Sequence, residues 1–265
     1  FDLGALPDGR PYCVMELLPG RTLQALLEER APLPPAEAVA YLSAVCEALQ
    51  AAHAAGVVHR DVKASNVMLL SEGASPQVKL LDFGVAKLLE PGVASITAVG
   101  QRIGTPSSMS PEQIRGGPVD LRADVYGLGV LLQRMLTGRP PFEAADLTEL
   151  ERMHLEAAPP RPSALAPVPP AFDAVVARCL EKDRERRWAS AAAVGEAARA
   201  ALGSGPAAAA WSAPAVAVHV AVRPYAEGDA DALAAQADVG DTAEAALHRE
   251  GFTLTLGTAG ALLGV

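Results

Sequence analysis

Between two short apolar runs the chain reads His59-Arg60-Asp61-Val62-Lys63-Ala64-Ser65-Asn66, and Asp82-Phe83-Gly84 follows sixteen residues after Asn66. Asn66 and Asp82 carry oxygen donors suited to a hard divalent cation such as Mg²⁺, which takes few protein ligands and keeps waters or phosphates as the rest. Taken singly, an aspartate at a strand end caps a turn and an asparagine fills one. Their joint spacing with Asp61 favours a shared site instead.

Downstream come Gly104-Thr105-Pro106, Pro111-Glu112, an apolar stretch led by Asp124, and Arg187 within Lys182-Asp183-Arg184-Glu185-Arg186-Arg187. In this order the segments resemble the catalytic loop, metal-binding motif and activation-segment end of eukaryotic-like (bacterial-type) protein serine/threonine kinases. The resemblance implies an α+β, protein-kinase-like fold with a mainly α-helical large lobe, and ATP-dependent transfer of a phosphoryl group to protein Ser or Thr. Such catalysis rests on aligning a hydroxyl with the γ-phosphate and neutralising developing charge.

On that basis Asp61 orients the substrate hydroxyl and accepts its proton, and Lys63 places a positive charge at the transferred phosphate. Asn66 and Asp82 hold Mg²⁺, with Mn²⁺ as an alternative. Thr105 is placed to hydrogen-bond Asp61 and Lys63. Glu112 pairs with Arg187 as a buried ion pair, Asp124 braces the backbone of the catalytic loop, and His59, Phe83 and Gly84 complete the structural set. The run at 12–18 resembles the last small-lobe strand and hinge, so Met15 stands at the gatekeeper position, the backbones of Glu16 and Leu18 meet the adenine edge, and Met68 lies beneath the base. Core filling is the alternative for both methionines. Arg60 is a cation beside the catalytic aspartate, and Thr97 or Ser95 is a hydroxyl whose phosphate would meet it.

The elements that must position these residues are legible in outline. Residues 12–18 read as a strand ended by Pro19-Gly20. A helix starts at Pro34-Pro35 and carries Val39, Leu42, Cys46, Leu49 and His53 at helical spacing until Gly56. Val57-Val58, Val67 to Leu70 and Val78 to Leu81 are strand candidates. Asp124 to Leu136 is a helix apolar nearly all round, stopped by Thr137-Gly138, and belongs at the centre of the lobe. Further helices carry Phe172, Val175, Val176, Cys179 and Leu180 on one face, and span Ser190 to Leu202.

The expected division is a small-lobe remnant and hinge at 1–18, the large lobe at 19–202, a linker at 203–215 and an incomplete α/β segment at 216–265. That last segment resembles the opening of a class III nucleotide cyclase, but Arg223-Pro224 stands where an aspartate is needed, and its role stays open. Lys63 is the first of four lysines, with Lys79, Lys87 and Lys182 following. The glycine-rich loop and third-strand lysine are thus not in this stretch, and residues 1–265 alone are expected to be inactive. A pseudokinase or scaffold is the alternative reading.

Half the residues are hydrophobic, many of them alanine, yet no apolar run is long enough to span a bilayer. The chain opens Phe1-Asp2-Leu3-Gly4 without a signal peptide and reads as a cut, and no membrane anchor is visible. Cys13, Cys46 and Cys179 lack metal or redox spacing and read as buried thiols in a reducing, cytoplasmic setting. A net charge of −9 argues against a nucleic-acid partner. Protein substrates and ATP are the partners the resemblance implies.

Overall fold

The computed structural model describes residues 2–5, 11–14, 17–71, 77–81 and 106–203. Strands β1 (Asp2–Ala5) and β2 (Pro11–Val14) form an antiparallel ribbon with Asp2 opposite Val14. A second sheet has the order β3 (Arg21–Thr22), β4 (Val67–Ser71), β5 (Gln77–Leu80), antiparallel throughout. Strand alternation sends Val67 and Leu69 into the core and leaves Met68, opposite Lys79, on the other face.

Helix α1 (Leu23–Arg30) begins where the Thr22 hydroxyl accepts from Ala25 N at 3.2 Å and buries Leu23, Leu26 and Leu27. Helix α2 (Pro35–Ala54) starts on a proline, which costs nothing in the first turn because that N–H has no helical partner. Helix α4 (Arg122–Thr137), two residues longer at its start and one at its end than the apolar pattern suggested, stops at Gly138 with φ +76°. Its side chains are buried almost all round. It packs on α2 and on α7 (Ala171–Cys179), and α2 and α7 both pack on α8 (Ala191–Gly203). Burial of Leu42, Leu49, Leu128, Leu132, Phe172 and Val176 between these four helices supplies the apolar area that holds the lobe together. Cys46 and Cys179 lie in this core as free thiols.

The other α-helices among the described residues are α3 (Pro111–Ile114), α5 (Leu147–Glu156) and α6 (Pro162–Leu165). With α1 they went unread in the sequence, since short helices with solvated faces carry little periodic signal.

Two expectations need correction. Val57-Val58 forms no strand: Val57 N–H donates to Ala52 O at 2.9 Å, closing the end of α2, and among the described residues no neighbouring strand offers a ladder. The strand expected at 12–18 is β2, which ends at Val14, so Leu17 and Leu18 lie outside it, and Leu17 is 94% exposed.

Candidate active site

The loop between α2 and β4 is polar and must be held by something other than a ladder. Its anchor is Asp124, at the start of α4 and 1% exposed. Asp124 Oδ2 accepts from His59 N at 2.9 Å and Oδ1 accepts from Arg60 N at 2.7 Å. His53 Nε2, from the last turn of α2, lies 2.7 Å from the same Oδ2. A carboxylate so deeply buried is tolerable only with such partners. One turn further along α4, a Cβ on Gly127 would sit 2.8 Å from Val62 Cβ and 3.0 Å from Val62 O. Glycine there lets the helix backbone lie directly against the loop.

Arg60 has φ +67°, a left-handed conformation that side-chain-bearing residues seldom adopt. The turn it makes presents Asp61. Asp61 Oδ2 lies 2.7 Å from Lys63 Nζ and accepts from Asn66 Nδ2 at 3.0 Å, while Asp61 O accepts from the same Nδ2 at 2.9 Å. Residues 64–66 form one 3₁₀ turn, which brings Asn66 back under Asp61. Asn66 turns its Nδ2 to Asp61, which leaves Oδ1 as the hard oxygen atom suited to a cation. The carbonyl of Asn66 accepts from Leu81 N at 2.8 Å, so the chain immediately before Asp82 is tied to the 59–66 loop. His59 is fully buried, and burial, opposed by the charge of Asp124, holds its imidazole below the usual range.

Glu112 of α3 meets Arg187 in a two-pronged pair, Nη1 to Oε1 at 2.7 Å and Nη2 to Oε2 at 2.8 Å. Arg187 also donates to Glu181 O at 2.8 Å and Arg122 O at 2.9 Å, and its guanidinium carbon lies 5.0 Å from the centre of the Tyr126 ring. Burial pushes the Glu112 carboxyl up, but the hydrogen bonds and charge of Arg187 outweigh it and leave the group below its ordinary value. Beside this pair Tyr126 Oη lies 2.8 Å from Nδ1 of His154, which is fully buried. Burial, then the charge of Lys182, lowers the His154 imidazole to about 4.

Of the residues singled out in the sequence, the structure brings together Arg60, Asp61, Lys63, Asn66, His59 and Asp124 in one place, and Glu112 with Arg187 in another. Met68 is half-buried on β4 and Leu18 half-buried before the Pro19-Gly20 bend. Met15, Glu16, Asp82, Phe83, Gly84, Ser95, Thr97 and Thr105 lie outside the described residues, as do 204–265. Among the described residues no three His, Cys, Asp or Glu side chains converge as a metal site. Two contributors were missed. His53 was read as a continuation of an apolar face, and Gln113, whose Nε2 donates to Arg60 O at 2.7 Å, was passed over beside Glu112. Only the position of Gln113 next to a singled-out pair could have drawn notice to it.

The family described as the protein kinase domain matches residues 7–197, and the chain belongs to it. It is 45% identical over 190 residues to serine/threonine-protein kinase PknL of Mycobacterium tuberculosis, covering 71% of this chain and 46% of that protein. Against serine/threonine-protein kinase PknB of Mycolicibacterium smegmatis it is 40% identical over 183 residues, covering 69% and 29%. Among solved structures the kinase domain of Mycobacterium tuberculosis PknI superposes with a TM-score of 0.59 at 30% identity, covering 76% of this chain and 70% of that one. These likenesses make the relatives bacterial-type serine/threonine kinases, and the fold is protein-kinase-like. The chain spans about half the length, or less, of the curated relatives it matches.

Proposed function

We propose that the protein to which this chain belongs is a serine/threonine-protein kinase that transfers the γ-phosphoryl group of ATP to Ser or Thr hydroxyls of protein substrates. The observation that carries this is the cluster around Asp61: a carboxylate one-third exposed, with Lys63 Nζ at 2.7 Å and Asn66 beneath it, on a loop pinned by Asp124. Such a carboxylate can accept a hydrogen bond from an incoming hydroxyl and take its proton, and Lys63 can neutralise charge on the phosphoryl oxygens. Pinning of the loop keeps Asp61 from drifting, and small misplacements at a reacting centre are costly.

The donor set fits a divalent cation. Asn66 and Asp82 would hold it, with Mg²⁺ preferred and Mn²⁺ an alternative, and bound there it would neutralise phosphate charge. Met15, the backbones of Glu16 and Leu18, and Met68 would enclose the adenine. Thr105 would hydrogen-bond Asp61 and Lys63. Arg60 would receive a phosphate carried on Thr97 or Ser95. No described helix is long and apolar enough to cross a membrane; a cytoplasmic site of action is part of this reading.

The test is phosphoryl transfer to a generic protein substrate by the full-length protein and by its Asp61→Asn variant. Loss of a general base predicts a fall of about 10²- to 10⁴-fold at unchanged melting temperature. Equal rates for the two would sink the kinase reading and favour a scaffold.

A further inference from the structure

We propose that Gln113 is a positioning residue for Asp61, through which the segment anchored by Glu112 and Arg187 fixes the Arg60–Asp61 peptide of the catalytic loop. The inference rests on the kinase reading of Asp61 and adds a residue to it.

The catalytic loop turns at Arg60 in a conformation that a residue with a Cβ disfavours, so external contacts must hold it. Asp124 holds the near side, where its Oδ1 accepts from Arg60 N at 2.7 Å. That bond fixes the peptide before Arg60. The peptide after it, which leads into Asp61, is held at its other edge: Arg60 O accepts from Gln113 Nε2 at 2.7 Å, and Asp61 N–H faces His59 Nδ1 at 3.4 Å. The first of these is shorter and comes from another element.

The Gln113 amide is not free to choose its direction. Its Oε1 accepts from Ser110 N at 3.1 Å and from Ser110 Oγ at 2.9 Å, so the amide nitrogen is left to face Arg60. This reach from the third helical position back to the N-cap is half of a capping box. Glu112, the neighbouring residue on α3, is locked to the buried Arg187. A continuous set of contacts therefore runs from the helical core through α3 to the carbonyl next to the catalytic aspartate. If α3 shifts, the Arg60–Asp61 peptide loses its outside support, and Asp61 is free to turn.

The bland explanation is that Gln113 only caps α3. Two variants of the full-length protein separate the roles. Gln113→Glu keeps an oxygen for Ser110 but has no hydrogen for Arg60 O, whereas Gln113→Met loses both. Positioning predicts that each variant lowers kcat about tenfold and leaves KM for ATP within about twofold. It also predicts faster amide hydrogen exchange across the peptide containing Asp61 in both, with the Gln113→Glu melting temperature within about 2 °C of the parent. Capping alone predicts that Gln113→Glu matches the parent in kcat and exchange while only Gln113→Met suffers, and that result overturns the proposal. If the parent shows no Asp61-dependent transfer, the kinase reading falls, and the exchange comparison still decides whether Gln113 supports the loop: unchanged exchange in Gln113→Glu rejects it.

Discussion

Asp61–Lys63 and Glu112–Arg187 are both carboxylate–cation pairs with a closest N–O separation of 2.7 Å, yet their surroundings are opposite. The side chains of the first are 33% and 24% exposed, those of the second 11% and 0%. Water reaches the first pair, so its attraction is screened and either member can exchange its partner for a hydroxyl or a phosphate. The second pair has no solvent to fall back on, and Arg187 is further held by the carbonyls of Glu181 and Arg122. Distance alone thus does not assign a role; the dielectric around a pair decides whether it is a tool or a fastening.

Breaking each pair at its cation is the sharpest test of that contrast. Arg187→Met strands Glu112 in a largely buried position and should lower the unfolding free energy by about 3–5 kcal/mol. Lys63→Met should change stability by less than about 1 kcal/mol and lower the rate of phosphoryl transfer. Denaturant unfolding and a transfer assay on the full-length variants check both. Comparable destabilisation by the two substitutions would erase the distinction.

The same burial that locks Glu112 and Arg187 also makes the region sensitive to acid. His154 is neutral when folded down to about 4, from an ordinary 6.5, because burial and then the nearby Lys182 oppose its charge. An unfolded chain takes up that proton first, so the stabilisation is complete above 6.5 and is lost as pH falls from 6.5 towards 4. Glu112, whose folded value is depressed, adds a loss in the same direction below its ordinary 4.5. Unfolding free energies at pH 7, 5.5 and 4.5 should decline in that order, and His154→Gln, which can still accept from Tyr126, should flatten the decline. A slope unaltered by this substitution would assign the effect to other groups, such as the similarly depressed His59.

A smaller effect is expected inside the apolar core. Gln133 on α4 is fully buried, and among the described residues neither its Nε2 nor its Oε1 has a hydrogen-bond partner. Removing an unsatisfied buried amide should help, so Gln133→Leu is predicted to raise stability by about 1 kcal/mol with the transfer rate unchanged. A loss of stability on thermal or denaturant unfolding would show that the amide is satisfied after all.

What could be read without coordinates was local. Lys63 and Asn66 follow Asp61 within five residues, and a single 3₁₀ turn suffices to bring Asn66 back beneath it. Helix α2 could be placed by Pro35 at its start and Gly56 beyond its end, and α4 by Gly138, because these residues act on their own backbone. Val57-Val58 misled, since β-branched residues favour an extended chain but a strand also needs a neighbour.

By itself, then, the sequence determined the family, through the order and spacing of short segments, and the helices of the core, through apolar period and backbone punctuation. Only the tertiary structure decided which groups support Asp61, the proposed general base. Asp124 acts on the loop from 64 residues away, His53 joins it from across 71, and Gln113 reaches Arg60 over 53. A hydrogen bond depends on separations of a few ångströms between elements, and that information exists only once α2, α3 and α4 have packed around the loop they hold.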